Sequence, residues 1–353
     1  LLTIFFMKKS NKLERMAGWL AAMLIIAGMS GCATGKLSKR GQAKVSQKTF
    51  VIVGASSGLG RGVAEQLGAY HAQVVIAARR TELMEDVARR ITAAGGKAVV
   101  VTMDISRPED VQRLADEAVK HFGKVDVWIN NAGVGVIGRF WEIPQQDMAR
   151  LIDINLKGFI YGTHTALKLF LAQGHGTIIN LGSVESEVPQ AYHSAYAASK
   201  AAIRSLGIAI NQELRLHDKK KIKVVTVEPW ATDTPWFAHA ANYSGGTPQM
   251  IAIDGPEKVV NAIIWSSLHR RKELPVGGKG KLAHRMHQLF PRTVERLTAN
   301  VAHRRQMKLA PPAPDTEGSL YKSTDKGSGI SGGMRQRLKQ ERADRREQRR
   351  KDK

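Results

Sequence analysis

The stretch TFVIVGASSGLGRGVAEQLGAY, residues 49–70, decides the fold. Its opening, Thr49 to Ala55, is a short apolar, β-branched run ending in a glycine turn, which reads as a buried strand. Leu59 to Tyr70 reads as a helix. Between them stands GASSGLG, residues 54–60, with Gly54, Gly58 and Gly60 spaced GxxxGxG. Ser56 occupies the place where the commoner GxGxxG turn has glycine. A tight turn without side chains lets backbone N–H groups and a helix N-terminus approach a pyrophosphate. Glycine also serves any turn that needs positive φ. What points to a dinucleotide site is the position of this turn, after the first strand of an alternating chain.

The alternation continues outward from there. QVVIAAR (73–79), KAVVVTMDI (97–105), KVDVWINNAG (124–133), GTIINLGS (176–183) and KIKVVTVEP (221–229) read as strands, with a short one near ELPVGG (273–278). Helices are expected between them: over 81–96, opened by Thr81 as cap and closed by glycines; over 107–123, with Pro108 and acids in its first turn; over most of 145–173; over 194–217; and over 256–268. Strands that are apolar throughout, each followed by a helix, predict a parallel sheet covered on both faces. The fold class is therefore α/β, a Rossmann-type doubly wound sheet in one domain over residues 49–278.

Ligands in such folds bind where strands end. The second strand ends in Ala78, Arg79 and Arg80, where a fold selecting NAD would place an acid on the ribose 2′-OH. Arginine there suits a 2′-phosphate through charge-assisted contacts, so NADP(H) is expected over NAD(H). Asp104 follows the third strand, placed to accept from an adenine amino group. NNAG (130–133) follows the fourth and lets backbone lie against a cofactor. Ser183 follows the fifth. Thirteen residues later comes SAYAASK (194–200), in which Tyr196 and Lys200 share one helix face with only small residues between them.

GASSGLG, NNAG, Asn155, Ser183 and YAASK together resemble the classical short-chain dehydrogenases/reductases, over about residues 48–278 and in the right order. The resemblance implies an NAD(P)(H)-dependent oxidoreductase interconverting alcohols and carbonyls. It implies a catalytic set of Asn155, Ser183, Tyr196 and Lys200. Tyr196 would be the general acid/base and Ser183 the donor to the substrate oxygen. Lys200 would bind the nicotinamide ribose and lower the phenol pKa. Asn155 would hold a water linking Lys200 to solvent. Cofactor contacts would come from Gly54, Ser56, Ser57, Gly58, Leu59, Gly60, Arg79, Asp104, Ile105, Asn131, Ala132, Gly133, Tyr196, Lys200, Pro229 and Thr234. Two positions depart from the pattern: Val53 stands where the family has Thr, and Trp230 where Gly follows Pro229. Trp230 shapes the site or merely packs its loop; both readings are open.

The chain has 353 residues and a net charge of +23, with a single cysteine, Cys32. One cysteine excludes a disulfide framework and a cysteine-based metal cluster, and no metal is expected. The charge is flanking: residues 1–48 carry +8, 279–308 carry +7 and 335–353 carry +6, whereas 49–278 carry only +3. Such flanks suit an anionic membrane surface, and nucleic acid is not the expected partner of the body. Residues 1–35 read as a signal peptide or membrane anchor, with Lys8, Lys9, Lys12 and Arg15 before an apolar run from Met16 to about Ala33. MSGC (29–32) resembles a lipoprotein cleavage box. Acylation of Cys32 and an uncleaved span over 16–33 are both open, so membrane association is expected with its side undetermined.

Residues 36–48 read as a basic linker and 279–308 as a basic helical extension. Residues 309–353 read as a disordered linker followed by a charged tail. The segment 233–255, with Trp236, Phe237, Tyr243 and Met250, is the expected substrate lid, which suggests an apolar alcohol or carbonyl substrate. A homo-oligomer is expected. The alternative function is a non-catalytic NADP(H)-binding regulator or a membrane-surface scaffold.

Overall fold

The computed structural model describes residues 35–324 and 326–351. The expected N-terminal apolar segment, with Cys32, lies outside the described residues. No described helix is long and apolar enough to cross a membrane.

Seven parallel strands form the central sheet: β1 Thr49–Val53, β2 Gln73–Ala78, β3 Lys97–Thr102, β4 Val127–Asn130, β6 Gly176–Leu181, β7 Ile222–Pro229 and β9 Glu273–Val276. Their spatial order is β3-β2-β1-β4-β6-β7-β9. The order reverses direction beside β1, so the carboxyl ends of β1 and β4 open a crevice, the usual ligand position in such sheets. β1 registers Val53 against Ala77 of β2 and Asn130 of β4. This brings GASSGLG, Arg79 and NNAG to one edge of the sheet.

Phe50 and Ile52 face one apolar layer and Val51 and Val53 the other, and all four are buried. The first layer is closed by helices Gly58–Ala69, Thr81–Ala93 and Glu257–Ser266. The second is closed by Pro108–Phe122, Gly158–Gln173 and Ser194–Leu216. Alternate side chains of a strand covered on both faces are all buried, hence the uninterrupted apolar runs in the sequence. Gly68 permits close packing of the first two helices, since a Cβ there would lie 2.8 Å from Ile91 Cα.

Several local readings change. Thr81 is the first helical residue rather than the cap, and its hydroxyl pairs with Thr102 Oγ1 at 2.6 Å. The helix expected over most of 145–173 is present and carries a π turn at Asp153–Lys157. The stretch read as a linker contains a helix, Lys39–Val45, capped by Ser38 and anchored by buried Leu37 and Val45. The basic extension forms helices Gly277–Leu289 and Pro291–Ala302. A small parallel pair, β5 Val136–Gly138 and β8 Ala241–Tyr243, was not foreseen.

The largest difference is at the C-terminus. Among the described residues, the segment expected to be disordered follows a defined path across the domain, with Leu320 wholly buried in the second apolar layer. Tyr321 Oη donates to Asp147 at 2.8 Å, and Arg150 Nε donates to the Leu320 carbonyl at 3.1 Å. The charged tail is a helix, Met334–Lys351, whose Met334 and Leu338 are buried against Phe237, Trp236 and Met250.

Candidate active site

A cleft of about 250 Å³ runs along the strand ends. At one end lies the glycine turn. Gly54 has φ +87°, and a Cβ on it would lie 2.6 Å from the Ala132 backbone nitrogen. A Cβ on Gly60 would lie 2.1 Å from the Gly54 carbonyl oxygen. Gly58, at φ +58°, opens a helix whose N-cap, Ser57, makes no side-chain capping bond. The turn is thus a side-chain-free cradle at the N-terminus of a three-turn helix, which fits a pyrophosphate. Asn131 Nδ2 donates to the Gly54 carbonyl at 2.8 Å and ties NNAG to the cradle.

Arg79 and Arg80 stand at the mouth of this end. Arg80 Nη2 donates to Ser57 Oγ at 2.8 Å and to Ser56 Oγ at 3.0 Å. Both guanidinium groups also donate to carbonyls of the C-terminal segment: Arg79 to Ser319 (2.6 Å), Arg80 to Thr324 (2.9 Å). Asp104 lines the cleft, but its oxygens are already engaged. Oδ1 accepts from Ser106, and Oδ2 from Arg150 at 2.8 Å. Burial pushes its carboxyl up, yet these bonds outweigh burial and hold it below the usual range. An adenine amino group would share Asp104 with Arg150.

The catalytic candidates meet farther along. Ser183, Tyr196 and Lys200 line the same cleft as Gly133, Pro229, Thr234 and Ile105. Ser183 caps the short 3-10 turn Val184–Ser186, and its Oγ accepts the Glu185 N–H at 3.1 Å. The Ser183 proton is therefore left for another acceptor. Lys200 is buried, with Nζ donating to the Leu181 carbonyl at 2.7 Å and lying 5.5 Å from the centroid of the Tyr196 ring.

Asn155 lies behind the wall rather than on it. Its side chain brackets Val134, accepting from the backbone nitrogen and donating to the carbonyl, both at 2.9 Å. A Cβ on Gly133 would stand 3.5 Å from Asn155 Oδ1 and 3.7 Å from Lys200 Nζ, so the two residues flank one glycine. Of the expected cofactor contacts, only Gly60 does not line the cleft; it sits beneath the cradle.

The expected electrostatics of Tyr196 are reversed. Burial, then the charge of Glu185, raises its phenol pKa well above 10, and the hydrogen bond with Ser183 offsets only part of this. Burial pushes Lys200 down to about 7, with Glu185 opposing. Lys200 was expected to lower the Tyr196 pKa; desolvation dominates the phenol instead.

The substrate end is walled by Trp236, Phe237, Met250 and Trp230. Trp236 packs edge-on against Tyr196 with centroids 5.0 Å apart. Trp230 lines the cleft and is held by a bond from Nε1 to the Ala252 carbonyl at 3.1 Å, so it serves wall and loop together. Tyr243, expected in the lid, is elsewhere: its hydroxyl donates to Asp147. Glu185 and His193 join the wall and were not foreseen. His193 precedes the Ser194–Leu216 helix as its N-cap, so helical spacing did not point to it.

The chain matches the profile of a family described as short chain dehydrogenase over residues 48–243. It is 32% identical over 290 residues to an uncharacterized oxidoreductase of Bacillus subtilis (strain 168), YxnA, covering 81% of this chain and 80% of that protein. It is 35% identical over 226 residues to the 3beta-hydroxysteroid dehydrogenase 1 of Eggerthella lenta, covering 62% of this chain and 85% of that one. A solved short-chain dehydrogenase from Streptomyces avermitilis superposes with a TM-score of 0.60 at 27% identity, covering 72% of this chain and 97% of the other.

Proposed function

The chain belongs to the short-chain dehydrogenase/reductase family, and from that premise we propose that it is an NADP(H)-dependent oxidoreductase that interconverts an alcohol and a carbonyl compound, with Tyr196 passing the proton. The observation that carries this reading is one cleft lined by the glycine cradle, by Arg79 and Arg80, and by Ser183, Tyr196 and Lys200. A bound nicotinamide would supply or accept the hydride.

The residues supply the rest. The Ser183 hydroxyl, its lone pair taken by Glu185 N–H, donates to the substrate oxygen where negative charge develops. Tyr196 is kept protonated by burial, so in reduction it meets the substrate as a proton donor. The Lys200 ammonium then stabilises the phenolate left behind, and in oxidation the same groups work in reverse. Arg79 and Arg80 favour the 2′-phosphate. The apolar wall of Trp236, Phe237 and Met250 supports a largely apolar substrate, in keeping with the hydroxysteroid named for one relative. Membrane association through residues 16–33 or Cys32 belongs to the same proposal; fractionation with protease accessibility tests it.

The function is tested by following NADPH and NADH oxidation with a panel of apolar ketones. NADPH should be preferred at least about tenfold in kcat/KM, roughly 1.4 kcal/mol, and an Arg79→Ala, Arg80→Ala double variant should lose the preference. Equal use of NADH by the parent chain refutes the cofactor assignment. Turnover of no ketone refutes the activity.

A further inference from the structure

The substrate end of the cleft holds an acid that hydride transfer does not require. Glu185 is only 5% exposed and His193 3%. Glu185 Oε1 is 3.0 Å from His193 Nδ1, while Oε2 is buried and meets no donor. Leaving such an oxygen unpaired is unfavourable, and such groups mark places where a ligand or water completes the set. The Glu185 backbone is tied to Ser183 Oγ, and the His193 ring packs edge-on to Tyr196 and Trp236. The carboxyl is therefore fixed relative to both hydroxyls that would hold the reacting oxygen.

We infer that Glu185 Oε2 recognises a hydrogen-bond donor on the substrate, a second hydroxyl or an ammonium carried on an otherwise apolar body. His193 is a positioning residue that holds the carboxyl through Oε1. This inference rests on the oxidoreductase reading above. Its test uses cyclohexanone carrying a hydroxyl, an amino or a methyl group at the far ring carbon, with NADPH oxidation as readout. The parent chain should favour the hydroxy and amino ketones over the methyl isostere at least about tenfold, expressed in KM rather than kcat. Glu185→Gln should bring that ratio toward one. A parent ratio near one, or a ratio unchanged in Glu185→Gln, overturns the inference and leaves the oxidoreductase reading standing. Turnover of none of the three removes both.

The cofactor end carries a separate feature. The described residues 319–324 and 326–332 are anchored on one side by Leu320 and Tyr321. On the other, Met334 N–H donates to Asp233 at 2.8 Å. Between the anchors, carbonyls cap the groups a phosphate would need. Gly329 accepts from Gly58 N–H at 2.9 Å, Ser319 from Arg79 and Thr324 from Arg80.

We propose that this segment is an autoinhibitory strap, which competes with the dinucleotide phosphates and lifts when the cofactor enters. Lys322 and Lys326 lie on it and are exposed. Adding NADP⁺ to the full chain should therefore speed trypsin cleavage at these two lysines severalfold. Gly332→Val places a side chain where a Cβ would already lie 2.2 Å from the Thr234 carbonyl, and should loosen the strap. That variant should bind NADPH, followed by fluorescence, several times more tightly and faster. Protection of the lysines by NADP⁺, or weaker binding by the variant, would show a clasp that helps hold the cofactor and overturn the competition.

Discussion

Replacing Glu228 by Gln should stabilise the protein above neutral pH and leave it nearly unchanged in acid. Glu228 lies in β7 just before Pro229 of the cleft and is 1% exposed. Burial pushes its carboxyl from 4.5 up to about 8; Glu273 and Glu187 add to this and Arg204 opposes it. Arg204 Nε stands 3.6 Å from Oε1 and His284 Nδ1 3.8 Å from Oε2, yet neither oxygen receives a hydrogen bond. His287 faces the neighbouring Glu187 at 3.6 Å. Between pH 4.5 and about 8 the folded chain keeps a proton that the unfolded chain releases. The stability tied to this group is thus complete below 4.5 and drains away as pH rises through about 8. At 1.36 kcal/mol per unit the loss is on the order of 3–5 kcal/mol. Gln keeps the shape and cannot ionise. With about 2 °C per kcal/mol, the variant's melting midpoint should stand roughly 5–10 °C above the parent's near pH 8.5, and the two should converge near about pH 5. Circular dichroism melts across that range measure it. Parallel pH curves for the two proteins would refute the assignment.

Tyr196→Phe should lower NADPH-dependent turnover roughly 10²–10⁴-fold while NADPH binding by fluorescence stays within about twofold; retained turnover would remove Tyr196 from proton transfer. Gly60→Ala forces a Cβ to within 2.1 Å of the Gly54 carbonyl oxygen. It should cost about 1–3 kcal/mol in unfolding experiments and weaken NADPH binding as the cradle shifts. Lys200, held down at about 7 against 10.5, binds its proton more readily in the unfolded chain across that window. It should therefore make stability rise with pH there, and Lys200→Met should flatten the rise; identical slopes in thermal melts would contradict it.

How much was legible in the sequence follows from what kind of physics each feature rests on. The strands were readable because a parallel strand covered on both faces must be apolar at every position, as Phe50 to Val53 are. Ser183, Tyr196 and Lys200 were readable because strand ends and helical spacing bring them together, and the cleft does contain all three. The tail was not. Its Pro, Gly and Ser content averages out as disorder, while its path is set by single anchors, Leu320 in the core and Tyr321 on Asp147. Tyr243 was misplaced for a similar reason: its hydroxyl also answers to Asp147, a partner 96 positions earlier.

The pKa directions of Tyr196 and Lys200 follow burial more than their mutual spacing. An ammonium acidifies a phenol when both keep their hydration and only their mutual field matters. In this cleft both are buried, and removing water disfavours each charged form, the phenolate as much as the ammonium. The result suits reduction. On the proposed reaction Tyr196 would wait as a full proton donor, and Lys200, pushed down to about 7, would still take a proton near neutrality when a phenolate forms beside it. Glu185 biases the same pair in the same sense, raising the phenol and supporting the ammonium.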